Sequence, residues 1–143
     1  MRHVIAVGAL ALLAVTALPA PVAAQAPAAG TSLGNVSIGR RVTADGMPLA
    51  AGTYQVRLTG DQPQPGAGQS PDAERYVEFL RGGKVVAREV ATVISSADIG
   101  AIAKGKRPAA GTAQVELLKG NDYLRVWINR GGTHYIINFP VSS

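Results

Sequence analysis

The chain contains no cysteine, and only two of its 143 residues are histidine. Without cysteine there is no disulfide and no lipid attachment through an N-terminal thiol. One histidine, His3, lies at the extreme N-terminus, leaving His134 alone in the rest of the chain. A zinc site needs three or four clustered His or Cys ligands, so that chemistry is excluded and no metal or cofactor is expected. Long apolar runs are missing after residue 18. The single run before it, residues 4–18, is shorter than the roughly 20 residues a spanning helix requires.

That run has its own meaning. Met1-Arg2-His3 is a basic start, Pro19 and Pro21 break the apolar stretch, and Val22-Ala23-Ala24 supplies small residues at an exit site. This is the layout of a secretory signal peptide over residues 1–24. Cleavage after Ala24 leaves 119 residues beginning at Gln25, enough for one domain and one core. The expected location is periplasmic or secreted, with the membrane touched only through the signal peptide before cleavage. The formal charge of +5 becomes +4 once Arg2 is removed. A sequence pI near 10.0 favours acidic surfaces such as envelope polymers. The charges are scattered, however, which fits a solvated basic surface and no specific nucleic-acid partner.

Residues 25–34 are rich in Ala, Pro and Gly and read as a flexible leader, with the domain occupying residues 35–143. Val36 and Ile38 alternate with polar neighbours. Ala44-Asp45-Gly46-Met47-Pro48 is a turn. Over residues 52–59, Tyr54, Val56 and Leu58 share one face of a strand and Thr53, Gln55, Arg57 and Thr59 share the other. Pro63, Pro65 and Pro71, with Gly66 and Gly68, make residues 61–73 a long exposed loop. Three hairpins follow, turning at Gly82-Gly83, Gly120-Asn121 and Gly131-Gly132, dipeptides that suit two-residue primed turns. Those corners predict a register. Leu117 faces Leu124, Val115 faces Val126, Val126 faces Ile137 and Leu124 faces Phe139 on an inner side. Glu116 faces Arg125, Gln114 faces Trp127, and Trp127 faces Ile136 on the reverse. A one-residue slip would scatter the apolar set, so the agreement supports the register. The first hairpin, read the same way, sets Glu78 opposite Ala87 and Glu89 opposite Tyr76. Residues 95–111 hold a short helical turn that Ser96 caps and Gly100 weakens, then the basic loop Lys104-Gly105-Lys106-Arg107-Pro108. About seven or eight short strands without a long helix predict an all-β antiparallel β-sandwich, with a small β-barrel as the alternative.

No residues converge on catalysis. His134, read as an exposed strand histidine, has no nucleophile and no orienting carboxylate at a suitable spacing. Glu116 and Arg125 form a cross-strand ion pair, and neither Glu78 nor Glu89 has the acidic partner that glycoside hydrolysis needs. The Arg-Gly-Gly triplets sit at strand turns, and the basic loop lacks phosphate-loop spacing. A hydrolase is therefore disfavoured, and no enzyme is expected. One surface stands out: Tyr123, Arg125, Trp127, Ile136 and Asn138 share the reverse face of the last hairpins. An aromatic strip with an arginine is a usual make-up for a binding surface, unless another part of the chain covers it.

The stretch Ala44-Asp45-Gly46-Met47-Pro48-Leu49-Ala50-Ala51-Gly52-Thr53-Tyr54-Gln55-Val56 resembles a segment of small secreted bacterial β-sandwich proteins, the transthyretin-like and carboxypeptidase-regulatory-like modules. Ala50 stands where some of them carry proline. The resemblance covers about a tenth of the chain. It implies a non-catalytic module and carries over no site residue. The expected function is an exported binding or structural module of the cell envelope whose partner is an envelope or extracellular protein or polymer. The alternative is a carrier for a small apolar or carbohydrate ligand.

Overall fold

A computed structural model describes residues 29–142. The signal peptide expected over residues 1–24 and the first residues of the leader lie outside them. The described residues are almost entirely β. The main sheet holds β1 (Ser32–Ile38), β4 (Gly52–Leu58), β5 (Glu74–Arg81), β6 (Lys84–Ser95), β9 (Thr133–Pro140), β8 (Tyr123–Arg130) and β7 (Thr112–Leu117), neighbours in that order and all antiparallel. It curls until β7 approaches β1, a nearly closed barrel. A separate hairpin pairs β2 (Val42–Ala44) with β3 (Met47–Leu49), and α1 (Ile99–Ile102) is a single helical turn. The antiparallel all-β fold expected from the alternation is present, in its barrel form.

Six antiparallel steps leave β1 and β7 running parallel, and no backbone ladder joins them among the described residues. A side chain spans part of that seam instead. Arg130 of β8 donates to the Gly111 carbonyl (3.3 Å), and its guanidinium lies against Gly34 of β1. Gly34 has φ +96°, and a Cβ there would stand 2.9 Å from Arg130 Nη2.

The sheet is also interrupted between β6 and β9. Their ladder covers only Thr92↔Ile136 through Ser95↔Thr133, after which the strands part. The β2–β3 hairpin lies beside both strands there. Val42 bridges to Val141, Ser142 N donates to the Arg41 carbonyl (3.2 Å), and Asp45 N donates to Glu89 Oε2 (2.8 Å). Its apolar side chains Val42, Ala44 and Leu49 are buried. Inside the barrel, Phe79 meets Tyr54 edge-on (6.5 Å between ring centres) and Phe139 (5.2 Å). Ala87, directly across from Phe79, is small enough to leave room for that meeting.

Two local expectations change. Strand β1 begins at Ser32, within the stretch read as a leader through residue 34. Leu33 is buried, Gly30 N donates to the Leu58 carbonyl (2.6 Å), and the register shifts between Ser32 and Gly34. One leucine next to a bulged glycine outweighs an otherwise loop-like composition. In the first hairpin, Glu78 pairs with Arg88 and Val77 with Glu89, one step from the simple register. An irregularity after Phe79 inserts an extra residue on β6, which leaves the consecutive Val85 and Val86 both exposed. The other two hairpins have the predicted register throughout.

With no disulfide, stability rests on this interior. Phe139→Ala should cost about 3–5 kcal/mol, a large share of the roughly 5–15 kcal/mol typical of a domain. Urea denaturation checks it, and a loss below about 1 kcal/mol would refute the central role given to the ring.

Candidate functional site

The outer face of β7, β8 and β9 carries the side chains singled out from sequence. Strand alternation sets Tyr123, Arg125 and Trp127 of β8 outward, beside Ile136 and Asn138 of β9. The register brings all five together as predicted, but they do not share one environment. Tyr123 is 47% exposed and Asn138 is exposed, with Pro140 open beside them. Arg125 is half-buried. Trp127 and Ile136 are buried, at 1% and 9% exposure, so the strip is not a continuous open surface.

Residues 96–111, running between β6 and β7, cover the buried half. Ile99 and Ala103 sit one helical turn apart and pack with Ile94, Trp127 and Ile136 in a small cluster outside the barrel. The capping of α1 differs from the expected one. Asp98 is the cap residue, its backbone N–H and carboxylate both bonded to Ser95 Oγ, while Ser96 donates from N and Oγ to the Gly132 carbonyl. At the far end of the segment Asn129 Nδ2 donates to the Pro108 carbonyl (3.0 Å).

His134 is the main correction. It is buried at 2% exposure, not an exposed strand residue. Its Nδ1 accepts a hydrogen bond from Trp127 Nε1 at 2.8 Å, with the rings edge to face 5.9 Å apart. Because Nδ1 is the acceptor, the neutral ring carries its proton on Nε2. A buried indole N–H must find an acceptor, and no other is bonded to it here. On the far side Arg125 lies over the Trp127 ring (5.3 Å to its centre) and is paired with Glu116. Glu116, Arg125, Trp127 and His134 thus form one chain of polar contacts across the outer face. Burial lowers the His134 pKa from its ordinary 6.5, and the Arg107 charge lowers it further. The sequence signal for this cover was slight: one isoleucine at helical spacing from an alanine, interrupted by Gly100.

No other chemistry converges. Among the described residues no group of three or more His, Asp or Glu side chains gathers as a metal site would require, and no cavity or cleft opens. The side chains on the outer face offer stacking, hydrogen bonding and charge, and no nucleophile with a base beside it.

The histidine makes stability depend on pH in a definite direction. In the unfolded chain its pKa returns to 6.5, so below that pH the unfolded state binds more protons than the folded one. The stabilisation from neutral His134 is complete above pH 6.5 and is lost as pH falls through the lower folded-state value. Urea midpoints measured between about pH 7.5 and about pH 5.5 should decline for the native chain and change less for His134→Gln. Parallel declines would remove His134 as the cause. Trp127→Phe, which strips the N–H from the pair while keeping most of the packing, should cost about 1–3 kcal/mol at neutral pH. Urea titration of that variant would contradict the pairing if its stability equalled the native.

No family model, no curated protein and no solved structure matches the chain.

Proposed function

We propose that the chain is an exported, non-catalytic binding or structural module of the cell envelope, engaging its partner through the open part of the outer β7–β8–β9 face. The observation that carries this reading is the combination of exposed Tyr123, Asn138 and Pro140 with half-buried Arg125 on one outward face of the sheet. A rigid aromatic ring beside an arginine fixed by Glu116 provides stacking area and a directed donor at low entropic cost. The filled barrel favours this outer surface over an internal carrier site, since a ligand of drug size needs a cavity of roughly 300 Å3 or more. The N-terminal signal layout and the short likeness to secreted β-modules support an envelope role. The net positive charge suits an acidic envelope polymer as the partner.

Co-sedimentation of the mature chain with purified, insoluble cell-wall polymer tests the proposal. The native chain should be retained, less so as salt rises. The double variant Tyr123→Ala with Asn138→Ala should bind about tenfold more weakly, equivalent to about 1.4 kcal/mol, with an unchanged melting temperature. Equal retention of native and variant chains would rule this face out.

A further inference from the structure

The second half of the outer face carries a separate consequence for residues 96–111. Their hold on the barrel is light. The α1 turn has four residues, far fewer than the roughly 12–15 an isolated helix needs to persist. Its buried contacts come from Ile99 and Ala103, whereas Ile102 is 60% exposed. The segment's hydrogen bonds to the barrel lie at its ends, where Ser96 donates to the Gly132 carbonyl, Asn129 donates to the Pro108 carbonyl and Gly111 N donates to the Asn129 carbonyl. The bonds of its middle, Ala101 N to the Asp98 carbonyl and Ala103 N to the Ile99 carbonyl, stay within it, so the middle can move while both ends stay tied. Beneath that middle lies the Trp127–His134 pair.

The pair tolerates one protonation state. Nδ1 of His134 has its lone pair directed at Trp127 Nε1–H. A proton on Nδ1 would set two donors against each other at a ring that is 2% exposed. The groups around the ring give the new charge no counter-ion. From the cover, Arg107 is the charged group acting on it, and the cover's one acid, Asp98, is engaged by Ser95. Lys104 and Lys106 of the cover are exposed. From β8 come Trp127 and Asn129, with Arg125 behind the indole and Arg130 turned to the Gly111 carbonyl. From β6 comes Ile94, directly opposite. Along β9 the neighbours are Thr133 and Tyr135.

We propose that residues 96–111 are a proton-released cover: when His134 Nδ1 takes a proton, its bond to Trp127 is lost, the middle of the segment lifts, and Trp127 and Ile136 become exposed. Release lets the imidazolium reach water and draw away from Arg107. Closure restores the indole bond and the Ile99 contacts. The barrel interior takes no part, because Trp127 and Ile136 lie on its outside. This holds whether or not the open half of the face binds a partner.

Trp127 is the only tryptophan in the chain, so its fluorescence reports on the cover alone. Emission and acrylamide quenching of the mature chain would be followed from about pH 7.5 to about pH 4.5. The expected result is a red shift and a several-fold rise in quenching, with a one-proton midpoint below 6.5 and the far-ultraviolet β signal retained. His134→Gln should abolish that transition. Arg107→Ala, a change at an exposed position, should move the midpoint to higher pH and gives an independent reading if the histidine variant does not fold. Emission that ignores pH, a transition that persists unchanged in His134→Gln, a midpoint unmoved in Arg107→Ala, or loss of the β signal together with the shift would each overturn the proposal.

Discussion

The edge contact between Phe79 and Phe139 holds the fold together because it is made where the sheet itself gives way. Strands β6 and β9 share a ladder of four residue pairs and then separate, so no backbone bonds between them secure the barrel wall beyond Thr92. The two rings meet on the inside, over the small side chain of Ala87, and the β2–β3 hairpin lies beside the parted strands. In a domain without a disulfide, side-chain burial has to supply what a covalent staple would. The hairpin is then part of the closure: Val42, Ala44 and Leu49 add to the same core, and Glu89 holds the Asp45 end of it through a backbone N–H.

Among the described residues no cavity opens inside the barrel, so recognition as proposed falls to the outside, and there one sheet face is divided into two unlike halves. Toward the start of β8 it is open and polar-aromatic. Toward the end it is apolar and sealed by residues 96–111. The division follows from the chain path, since the connection from β6 to β7 must pass over β9 and β8 to reach the far edge of the sheet. A connection crossing a sheet face covers whatever lies beneath it, and here that is Trp127 and Ile136. The buried donor of Trp127 then requires an acceptor, which explains why the one histidine of the domain stands where it does.

How much of this was legible beforehand depended on turn geometry. The registers of β7–β8 and β8–β9 are those that two-residue corners predict, although at the first corner Leu118 N donates to the Tyr123 carbonyl across a four-residue loop in which Gly120 (φ +95°) and Asn121 (φ +64°) reverse the chain. The same rule held at the β5–β6 corner, where Arg81 faces Lys84 and Leu80 faces Val85, but it did not foresee the shift past Leu80, because the inserted residue hides among β-branched side chains that read as uninterrupted strand. It also missed the start of β1, where a single leucine docks against β4. In the candidate site, the membership of the face was legible because strand alternation is local. Its burial was not, because it depends on a connection of weak pattern folding back from another part of the chain. The tautomer and burial of His134 depend on that contact and could not be read from strand period alone.

The basic composition takes on a different meaning once the arginines are located. Arg57, Arg88 and Arg125 are engaged by Glu78, Asp45 and Glu116. Arg81, Arg107 and Arg130 lie with their guanidinium groups against Gly52, Gly100 and Gly34, where bare backbone leaves space for a flat group. Arg81 also donates to the Ala51 carbonyl and stands 4.9 Å from the Tyr54 ring centre. A planar fork suits these places and an ammonium does not, since the fork can stack on a surface and still donate at its edge. Five of these arginines thereby join strands, turns and the barrel seam, while exposed Arg107 lies within the 96–111 segment itself. A high isoelectric point produced in this way is a property of the architecture first. The charge left for a partner is the smaller set on the exposed loops, with Lys104 and Lys106 among them, too few and too dispersed to bind by electrostatics alone. A tight contact of the kind proposed must therefore draw on shape and stacking as well, and the open Tyr123 end of the outer face exposes an aromatic ring for it.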